Sequence, residues 1–581
     1  METVTLKING QTVEAPKGST ILEAAHLAHI DIPTLCYLKD INEIGACRIC
    51  VVEVKGARSL VASCVYPIAE NMEVFTNTPK VLDSRKKTLQ LLLSNHNKSC
   101  LSCIRNRDCE LQKLCKDLKV DDEDYYSGEQ TQSEPDTSAA HMYRDNSKCI
   151  LCRRCSAVCE QVQSVGVIGA NERGFKTQIG CAFEMGLGDT SCVSCGQCIA
   201  VCPTGALAEK NYTKQVFEAF ADPDKIVLVQ TAPAVRAALG ECFDYPIGTN
   251  VQGKMVAALR LLGFDKVFDT NFSADLTIME EAHELLDRIQ NNGTLPLITS
   301  CSPGWINYCE HYFPEMTENL SSCKSPQQMF GAISKTYYAE KMNIDPKKIV
   351  MVSIMPCTAK KYEIGRDNQS AAGVPDVDIA ITTRELAQMI DQQGINFRSL
   401  PDETFDDPLG MSSGAAVIFG ATGGVMEAAL RTAIWKLTGE NNDAPIEFTS
   451  VRGMDGIKEA SLLLNGTTIN VAVASGLKNA KELLLRVKSG EKTYHFIEIM
   501  GCPGGCINGG GQPHVPASIR NFEDIRELRA KVLYEQDAHN PIRRSHENPY
   551  IKTVYAEYLG APGSQKAHQI LHTTYVKRHV N

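Results

Sequence analysis

The 581-residue sequence predicts a multidomain protein in which small, cysteine-rich α+β domains precede a larger α/β domain. Three observations support this fold class. The chain is several times longer than an average domain of about 150 residues. Most of its 24 cysteines recur at short spacings before residue 210. After about residue 226, apolar strand-like runs alternate with amphipathic helix-like runs, which indicates largely parallel strands.

Composition and charge narrow the classes of function. Hydrophobic residues make up 43% and charged residues 22% of the chain, which is ordinary for globular domains. The formal net charge of −10 argues against nucleic acid or an anionic membrane as the main partner. No apolar run reaches the ~18 residues of a membrane span, and METVTLKING does not have the pattern of a secretory signal. We therefore expect a cytoplasmic protein, in which 24 cysteines indicate metal ligands rather than disulfides.

Residues 1–78 are expected to form a small β-rich domain of the β-grasp type. The segment VTLKINGQTVEA predicts two strands joined by a turn at Asn9-Gly10. Ser19 or Thr20 can cap the helix ILEAAHLAHI that follows. Four cysteines, two of them closely spaced, favour a 2Fe–2S cluster, with structural zinc as the alternative. These cysteines are Cys36, Cys47, Cys50 and Cys64.

Residues 79–119 are expected to be helical and to carry one histidine and three cysteines as a group. Alone, such a group is as typical of zinc as of iron, but among other cluster motifs it favours a 4Fe–4S cluster with one imidazole ligand. The predicted ligands are His96, Cys100, Cys103 and Cys109. Cys115 is left over and is interpreted as structural. The acidic, polar stretch at 120–140 predicts a linker or surface loop.

Residues 141–210 contain the most specific pattern in the chain. Two runs with the spacing C-x2-C-x2-C-x3-C match the bacterial two-cluster ferredoxins, in which the fourth cysteine of each run ligates the other cluster. One 4Fe–4S cluster is predicted on Cys149, Cys152, Cys155 and Cys202. The other is predicted on Cys192, Cys195, Cys198 and Cys159. Four clusters in series, one 2Fe–2S and three 4Fe–4S, indicate electron transport.

Residues 211–514 are expected to form the α/β domain. Three of its segments run from an apolar strand into a cysteine-bearing loop, namely LPLITSCSPGW, KIVMVSIMPCTAKKYE and HFIEIMGCPGGCINGGG. Because ligands bind outside the carboxyl ends of parallel strands, the three loops can meet at one site. A fifth, buried cluster is predicted there on Cys301, Cys357, Cys502 and Cys506. The cysteines assigned to packing are Cys242, Cys309 and Cys323.

With these motifs in this order, the chain resembles the iron-only ([FeFe]) hydrogenases over nearly its whole length. The tail, residues 515–581, resembles the family's small subunit through AHQILHTTY. The resemblance implies interconversion of dihydrogen with protons and electrons at an H-cluster. That cofactor is a 4Fe–4S cube joined through one cysteine to a diiron unit with CO, cyanide and a bridging azadithiolate.

The resemblance also implies roles for individual residues. Cys506 matches the bridging cysteine, and Cys357 and Cys502 match ligands of the cube. Lys360 matches the residue that hydrogen-bonds a cyanide. The residues that match those packed against the diiron unit are Ala232, Pro233, Met355 and Met500.

One position departs from the family pattern. The family's first motif usually has two adjacent cysteines, of which the first carries protons and the second ligates the cube. Here the pair is Cys301-Ser302. A position-by-position match to the family motif makes Cys301 the proton relay and puts Ser302 at the ligand position. Thiolate chemistry instead favours Cys301 as the ligand, which would leave the relay to Ser302 or water.

Proton delivery requires titratable groups that lead outward from the cluster. The helix LTIMEEAHELLDRI places Glu281, Glu284 and Arg288 along one stripe. On the residues alone, this predicts a solvated edge with a Glu284–Arg288 ion pair. The resemblance instead implies a proton route through Cys301, Glu281, Ser321, Glu284 and Arg288. Buried carboxylates with a raised pKa would then exchange protons near neutral pH.

Two other functions compete with this interpretation. The first ~210 residues also resemble the electron-input part of complex I and of formate dehydrogenases, but the strand-end cysteine loops argue against that alternative. The second alternative is a non-catalytic hydrogen sensor or an iron–sulfur assembly protein. Four accessory clusters suit turnover better than sensing.

The electron partner is the remaining question. The layout resembles monomeric ferredoxin hydrogenases and also the hydrogenase subunit of NAD(P)- and ferredoxin-linked bifurcating enzymes. GATGG at 420–424 is not the G-x-G-x-x-G pattern of a dinucleotide loop. We therefore expect ferredoxin as a carrier and, if NAD(P) is used, a flavin-binding partner subunit in a hetero-oligomer.

Overall fold

The structure is a computed structural model that describes residues 2–121, 123–131, 133–439, 447–464, 467–578 and 580. Asp122 and Gln132 of the predicted loop at 120–140 lie outside the described residues, and so do the end positions 579 and 581 of the predicted tail.

The N-terminal domain is a mixed five-stranded sheet with one short helix. Its strands are β1 (Thr3–Ile8), β2 (Gln11–Pro16), β3 (Val51–Val54), β4 (Val61–Ala62) and β5 (Glu73–Phe75), in the order β2-β1-β5-β3-β4. The predicted turn is confirmed, since Asn9 and Gly10 have φ of +51° and +85° as a two-residue hairpin requires. Helix α1 (Ile21–Leu27) begins after Thr20, which forms a capping box with Glu23. It ends three residues earlier than predicted, because His29 adopts a left-handed φ of +57°.

The next part of the chain consists of short elements between cysteine-bearing loops. Its helices are α2 (Pro79–Ser94), α3 (Glu110–Leu118), α4 (Arg154–Ala157) and α5 (Gln197–Ala200). Its strands are β6 (Met142–Arg144), β7 (Gly169–Asn171), β8 (Gln178–Gly180) and β9 (Leu207–Glu209). Antiparallel pairing of β6 with β9 closes the two-cluster domain on itself. Among its described residues, the stretch 120–140 contains no helix or strand.

The α/β domain contains two four-stranded sheets. Its strands are β10 (Ile226–Thr231), β11 (Lys266–Asp269), β12 (Leu297–Ile298), β13 (Ile349–Met355), β14 (Ile379–Thr382), β15 (Ile457–Leu464), β16 (Thr467–Ser475) and β17 (Phe496–Met500). The first sheet has the order β11-β10-β13-β14 and is parallel throughout. The second has the order β12-β17-β16-β15 and is parallel except for the β15–β16 hairpin. The predicted, largely parallel α/β character is confirmed, whereas the division into two sheets was not predicted.

One long helix lies between the two sheets. The helices of this domain are α6 (Thr213–Ala221), α7 (Pro233–Arg236), α8 (Gln252–Leu262), α9 (Asn271–Gln290), α10 (Pro303–Tyr312), α11 (Pro326–Ile333), α12 (Ala339–Met342), α13 (Ala359–Glu363), α14 (Thr383–Gln392), α15 (Gly414–Val417), α16 (Gly424–Thr438) and α17 (Leu477–Lys488). Leu276 of α9 packs into the core beneath the first sheet, together with Met351 of β13. Ile278 of α9 packs into the core beneath the second sheet, together with Phe496 of β17. Helix α9 is therefore buried on opposite faces.

The C-terminal segment is more helical than predicted. The tail sequence shows no clear periodic pattern beyond a helix or two, but its described residues contain α18 (Ala517–Arg520), α19 (Ile525–His539), α20 (Pro549–Val554) and α21 (Gln565–Leu571). These helices pack onto the α/β domain; for example, Ile551 and Leu571 join the core beneath the first sheet. Among the described residues, no helix is both long enough and apolar enough to cross a bilayer.

Candidate active site and cluster sites

Three strand-end loops meet in one apolar cavity, which we call the loop-end cavity. The loops follow β12 and β17 of the second sheet and β13 of the first. The empty space in the cavity and at its open mouth amounts to about 730 Å³. The cysteines that line it are Cys301, Cys357, Cys502 and Cys506. The loops thus converge as expected from the sequence, although they come from two sheets rather than one.

The other predicted contacts of the cofactor line the same cavity. They are Ala232, Pro233, Ser302, Met355, Lys360 and Met500. Lining residues that the sequence analysis missed are Thr270, Ala274, Gln327, Phe419 and Gly420. GATGG therefore contributes to this cavity through Gly420, and its last glycine begins α16 without a preceding strand.

Glycines allow the loop after β17 to pack tightly against the loop after β13. A Cβ atom added at Gly509 would lie 2.1 Å from the carbonyl oxygen of Pro356. Gly505 has a left-handed φ of +99°, and a Cβ there would lie 2.8 Å from the backbone nitrogen of Thr422. Both positions therefore require glycine.

The donor set of the cavity fits an iron–sulfur cofactor. Burial raises the pKa of Cys506 to about 12, and burial together with the charge on Cys357 raises the pKa of Cys502 well above its ordinary value. Thiols in such surroundings stay neutral unless a bound cation stabilises the thiolate. Three neighbouring thiols in an apolar, glycine-lined cavity are therefore suited to ligating iron.

Lys360 is held at the cavity wall by a fixed set of partners. Its Nζ donates to Ser325 Oγ at 2.9 Å, to Glu363 Oε2 at 2.9 Å and to the carbonyl oxygen of Cys301 at 3.3 Å. Ser325 and Gln327 also donate to Glu363 Oε2, each at 2.9 Å. Glu363 was missed in the sequence analysis, although its position three residues after Lys360 on a helix is a recognisable signal.

The predicted proton-route residues Glu281, Ser321, Glu284 and Arg288 lie next to one another. Glu281 is fully buried, and its carboxylate oxygens accept no hydrogen bond of normal geometry. Burial, followed by the charge on Glu284, raises the pKa of Glu281 to about 8, and the nearby Ser321 hydroxyl opposes that shift. Ser321 Oγ donates to Glu284 Oε2 at 3.0 Å, and Arg288 Nη2 donates to Glu284 Oε1 at 2.7 Å. The side chain of Arg288 is 15% exposed, so this line of groups reaches the surface.

The four cysteines of the N-terminal domain lie together. The thiol of Cys50 is 3.3 Å from the sulfur of Cys64, and the backbone N–H of Cys47 donates to Cys36 Sγ at 3.4 Å. The hydrogen bond with Cys50 and burial, and then the charges of Cys50, Cys36 and Cys47, raise the pKa of Cys64. The structure therefore brings this predicted ligand set into one place.

The histidine–cysteine group surrounds a separate cavity. His96, Cys100 and Cys109 line it together with Cys115. The sulfur of Cys103 contacts Gly205, because a Cβ atom added at Gly205 would lie only 2.4 Å from that sulfur. Burial lowers the pKa of His96 to about 4, and its buried Nδ1 accepts or donates no hydrogen bond. A neutral imidazole with an unsatisfied nitrogen fits a metal ligand.

The two ferredoxin-like sets assemble with the exchanged fourth cysteine. One cavity is lined by Cys149, Cys152, Cys155 and Cys202, which we call the first quartet. The second quartet is Cys159, Cys192, Cys195 and Cys198, where burial and the charges of the other three raise the pKa of Cys198 well above its ordinary value. Within the described part of the chain, no three His, Cys, Asp or Glu side chains are arranged to hold a single metal ion.

The contacts between the cysteine sets do not follow the simple linear series that their order in the sequence suggests. Asn42 Nδ2 donates to the carbonyl oxygens of both Cys36 and Cys152, at 2.7 and 3.0 Å. The thiol of Cys109 lies 3.6 Å from the carbonyl oxygen of Pro203, next to Cys202. The N-terminal set and the His96 set therefore each contact the backbone beside the first quartet, and they do so at different points.

The second quartet adjoins the loop-end cavity. Thr358, next to Cys357, donates through Oγ1 to the carbonyl oxygen of Ser194 at 2.8 Å. The charge of Cys195 contributes to the raised pKa of Cys502. The second quartet is therefore the neighbour of the loop-end cavity on the side of Cys357 and Cys502.

The remaining cysteines have varied surroundings. None of the 24, all of which lie in the described residues, is in a disulfide. Cys309 and Cys323 are buried in apolar cores as predicted. Cys242 is exposed, so its assignment to packing is wrong.

Family models match most of the chain. Residues 225–510 match "Iron only hydrogenase large subunit, C-terminal domain" and residues 523–578 match "Iron hydrogenase small subunit". Residues 1–79 match a 2Fe-2S iron-sulfur cluster binding domain. Residues 85–124 match the NADH-ubiquinone oxidoreductase-G iron-sulfur binding region, and residues 148–206 match a 4Fe-4S dicluster domain.

Individual proteins are similar over the full length or over the C-terminal part. The NADP-reducing hydrogenase subunit HndD of Solidesulfovibrio fructosivorans is 53% identical, and the match covers 100% of both chains. Iron hydrogenase 1 of Clostridium pasteurianum is 45% identical over 99% of this chain and 100% of its own. A solved structure of the apo [FeFe]-hydrogenase HydA1 from Chlamydomonas reinhardtii is 43% identical with a TM-score of 0.57, and the match covers 64% of this chain and 100% of that one.

Proposed function

Because the chain belongs to the iron-only ([FeFe]) hydrogenase family, we propose that its loop-end cavity is where it interconverts dihydrogen with protons and electrons. The chain is a hydrogenase with 2Fe–2S and 4Fe–4S domains ahead of an H-cluster domain. The observation that carries the assignment of the site is the meeting of Cys357, Cys502 and Cys506 with Lys360 in one apolar cavity.

Three thiolates would hold the H-cluster from two sides. Cys357 approaches from the first sheet, and Cys502 and Cys506 approach from the second, with Cys506 as the bridge between cube and diiron unit. When bound, the diiron unit supplies an open coordination position at which dihydrogen is split or formed. The protein fixes the ligands from two rigid sheets, so the cavity is preorganised.

The other lining residues would orient the diiron unit and exclude water. Ser325 and Glu363 hold the Lys360 ammonium at the wall, where one of its three N–H groups would be shared with a bound cyanide. Met355 and Met500 give the wall a soft, apolar surface. Ala232 and Pro233 close the same wall without adding polar groups, and a dry site strengthens the electrostatic interactions inside it.

Protons would travel along Cys301, Glu281, Ser321, Glu284 and Arg288. Glu281 has a pKa of about 8, so it can take up and release protons near neutral pH. The Ser321 hydroxyl lies between the two carboxylates and can pass a proton by rotating. The Glu284–Arg288 pair ends the route at the surface.

Electrons would enter and leave through four accessory clusters. The second quartet would be the cluster next to the H-cluster, and the first quartet would be the junction that serves both the N-terminal 2Fe–2S cluster and the His96-ligated cluster. The junction is supported by the Asn42 amide, which links Cys36 to Cys152, and by the contact of Cys109 with Pro203.

The two entry points suit a multi-subunit enzyme. We propose that ferredoxin and a flavin- and NAD(P)-binding subunit are the electron partners, since the similar protein HndD is named as a subunit of an NADP-reducing hydrogenase.

Hydrogen-dependent reduction of a viologen dye by anaerobically matured protein tests the function. Wild type should reduce the dye, whereas Cys506→Ala should not, because the diiron unit would lose its link to the cube. Cys242→Ala is the matched control, since Cys242 is exposed and outside the cavity. Equal activity of Cys506→Ala and wild type would contradict the proposal.

A further inference from the structure

We propose that Ser302, and not Cys301, is the fourth protein ligand of the cube, so that one alkoxide and three thiolates hold it. The proposal rests on the proposed function and decides between the two alternatives that the sequence leaves open. Its basis is the direction in which the two adjacent side chains point.

Ser302 points toward the loop that carries two of the thiols. It is the residue before α10, and its Oγ accepts a hydrogen bond from the backbone N–H of Gly501 at 3.1 Å. Gly501 directly precedes Cys502, and a Cβ added at Gly501 would lie 3.2 Å from Ser302 Oγ. The serine oxygen is therefore brought close to Cys502 by a backbone contact that only glycine leaves open.

Cys301 lies beside the helix that carries the proton route. Its side chain packs against the apolar cluster that contains Ile278 of α9 and Met500 of β17. Ile278 lies one turn before Glu281 on the same helix, so Cys301 stands between Glu281 and the cavity. The carbonyl oxygen of Cys301 accepts from Lys360 at 3.3 Å, which further fixes the backbone in this orientation.

Exchanging the roles of the two residues would require a rearrangement. Consecutive side chains in extended backbone point in opposite directions, and Ser302 has φ −100° and ψ 102°. For Cys301 to reach the Cys502 side, the peptide would have to turn, and the contacts to Gly501 and Lys360 would be lost. The observed backbone instead presents oxygen to one side and sulfur to the other.

When Ser302 becomes a ligand, iron replaces the proton on its hydroxyl oxygen. The O–H bond breaks and an Fe–O bond forms when the cube is inserted, the proton passes to solvent, and no atom changes oxidation state. An alkoxide is a harder donor than a thiolate, so it favours the more oxidised iron. We therefore expect the reduction potential of this cube to lie below that of a variant with four thiolates.

Oxygen-17 labelling of serine gives a direct test in the full chain. Protein matured with all clusters would be studied by pulsed electron paramagnetic resonance, in which only oxygen bound to iron gives a strong coupling. Wild type should show the coupling, and Ser302→Cys should lose it while keeping its iron content. Ser302→Ala should lose one iron per chain on oxidation, whereas Cys301→Ala should keep both the coupling and the iron.

The outcomes separate this inference from the function on which it rests. Absence of the coupling from wild type that contains a complete cube would overturn the ligand assignment and leave the hydrogenase function standing. Loss of cube iron from Cys301→Ala but not from Ser302→Ala would do the same. A cube missing from wild type and from every variant would overturn the proposed cavity site as well.

Discussion

Replacing Glu281 by glutamine should nearly abolish turnover without removing the cofactor. Glutamine keeps the size of the side chain but cannot bind and release a proton near neutral pH. Positioned proton transfer typically contributes roughly 10²- to 10⁴-fold to a rate, so the hydrogen-dependent reduction of dye should fall by about that factor. Iron content should stay unchanged, because Glu281 is not one of the predicted ligands.

The same substitution should change how stability depends on pH. The pKa of Glu281 is raised from 4.5 to about 8, and at 1.36 kcal/mol per pKa unit the folded protein disfavours the carboxylate by about 5 kcal/mol. The protonated Glu281 contributes its full stability at pH values below 4.5, which is the pKa of this group in the unfolded chain. This contribution is lost as the pH rises through about 8, which is its pKa in the folded protein. Glu281→Gln lacks this loss, so its stability relative to wild type should rise between those pH values by up to about 5 kcal/mol.

Glu280 provides a matched control on the same helix. Burial raises the pKa of its carboxyl group, but hydrogen bonds from His572, Tyr555 and the backbone N–H of Gly563 outweigh burial, so the pKa is lowered. Glu280→Gln should therefore keep the activity and lose stability at neutral pH. Thermal unfolding from pH 5 to 9 and dye reduction at saturating hydrogen would be measured for both variants. The reasoning would be refuted if Glu281→Gln retained half of the wild-type rate, or if both variants changed stability in the same direction with pH.

Three further substitutions test other parts of the molecule. Ser321→Ala should slow turnover at least tenfold at unchanged iron content, whereas Ser322→Ala should not, because its hydroxyl contacts His572 instead of Glu284. His96→Cys should lower the potential of its cluster, since a thiolate adds negative charge, and a redox titration followed by electron paramagnetic resonance should show no shift in the other clusters. Arg384→Ala should reduce the free energy of unfolding by about 3–5 kcal/mol, because it leaves the buried carboxylate of Glu209 unpaired. Removal of the exposed Lys87–Asp83 pair should leave thermal unfolding almost unchanged. An equally small effect of Arg384→Ala would argue against the buried pair.

The features that could be predicted from the sequence are those encoded locally. The short spacing of Cys149, Cys152 and Cys155 places three thiols around one site, whatever the rest of the chain does. An apolar run that ends in a cysteine-bearing loop, as β13 does before Cys357, likewise gives both the strand and the position of its functional residue. The exchanged fourth cysteine, Cys202, followed from the pattern of the two runs rather than from any one residue.

The features that could not be predicted depend on packing between distant segments. Nothing local to β12 and β13 says that they belong to different sheets, because strand pairing is decided by long-range contacts. The charged stripe of α9 has the pattern of a solvated face, yet Glu281 is fully buried because α9 lies between two sheets. The separate contacts of the N-terminal and His96 sets with the first quartet depend on how whole domains dock, which spacing does not encode.

The side chain of Asn42 ties two domains together at the point where their metal sites approach each other. Its single amide group holds one carbonyl from each domain, beside Cys36 and beside Cys152. Because Asn42 is only 4% exposed, solvent does not compete for these bonds. Displacing the N-terminal domain would therefore break the bond from Asn42 to the carbonyl oxygen of Cys152 before the N-terminal cysteine set could move away from the first quartet.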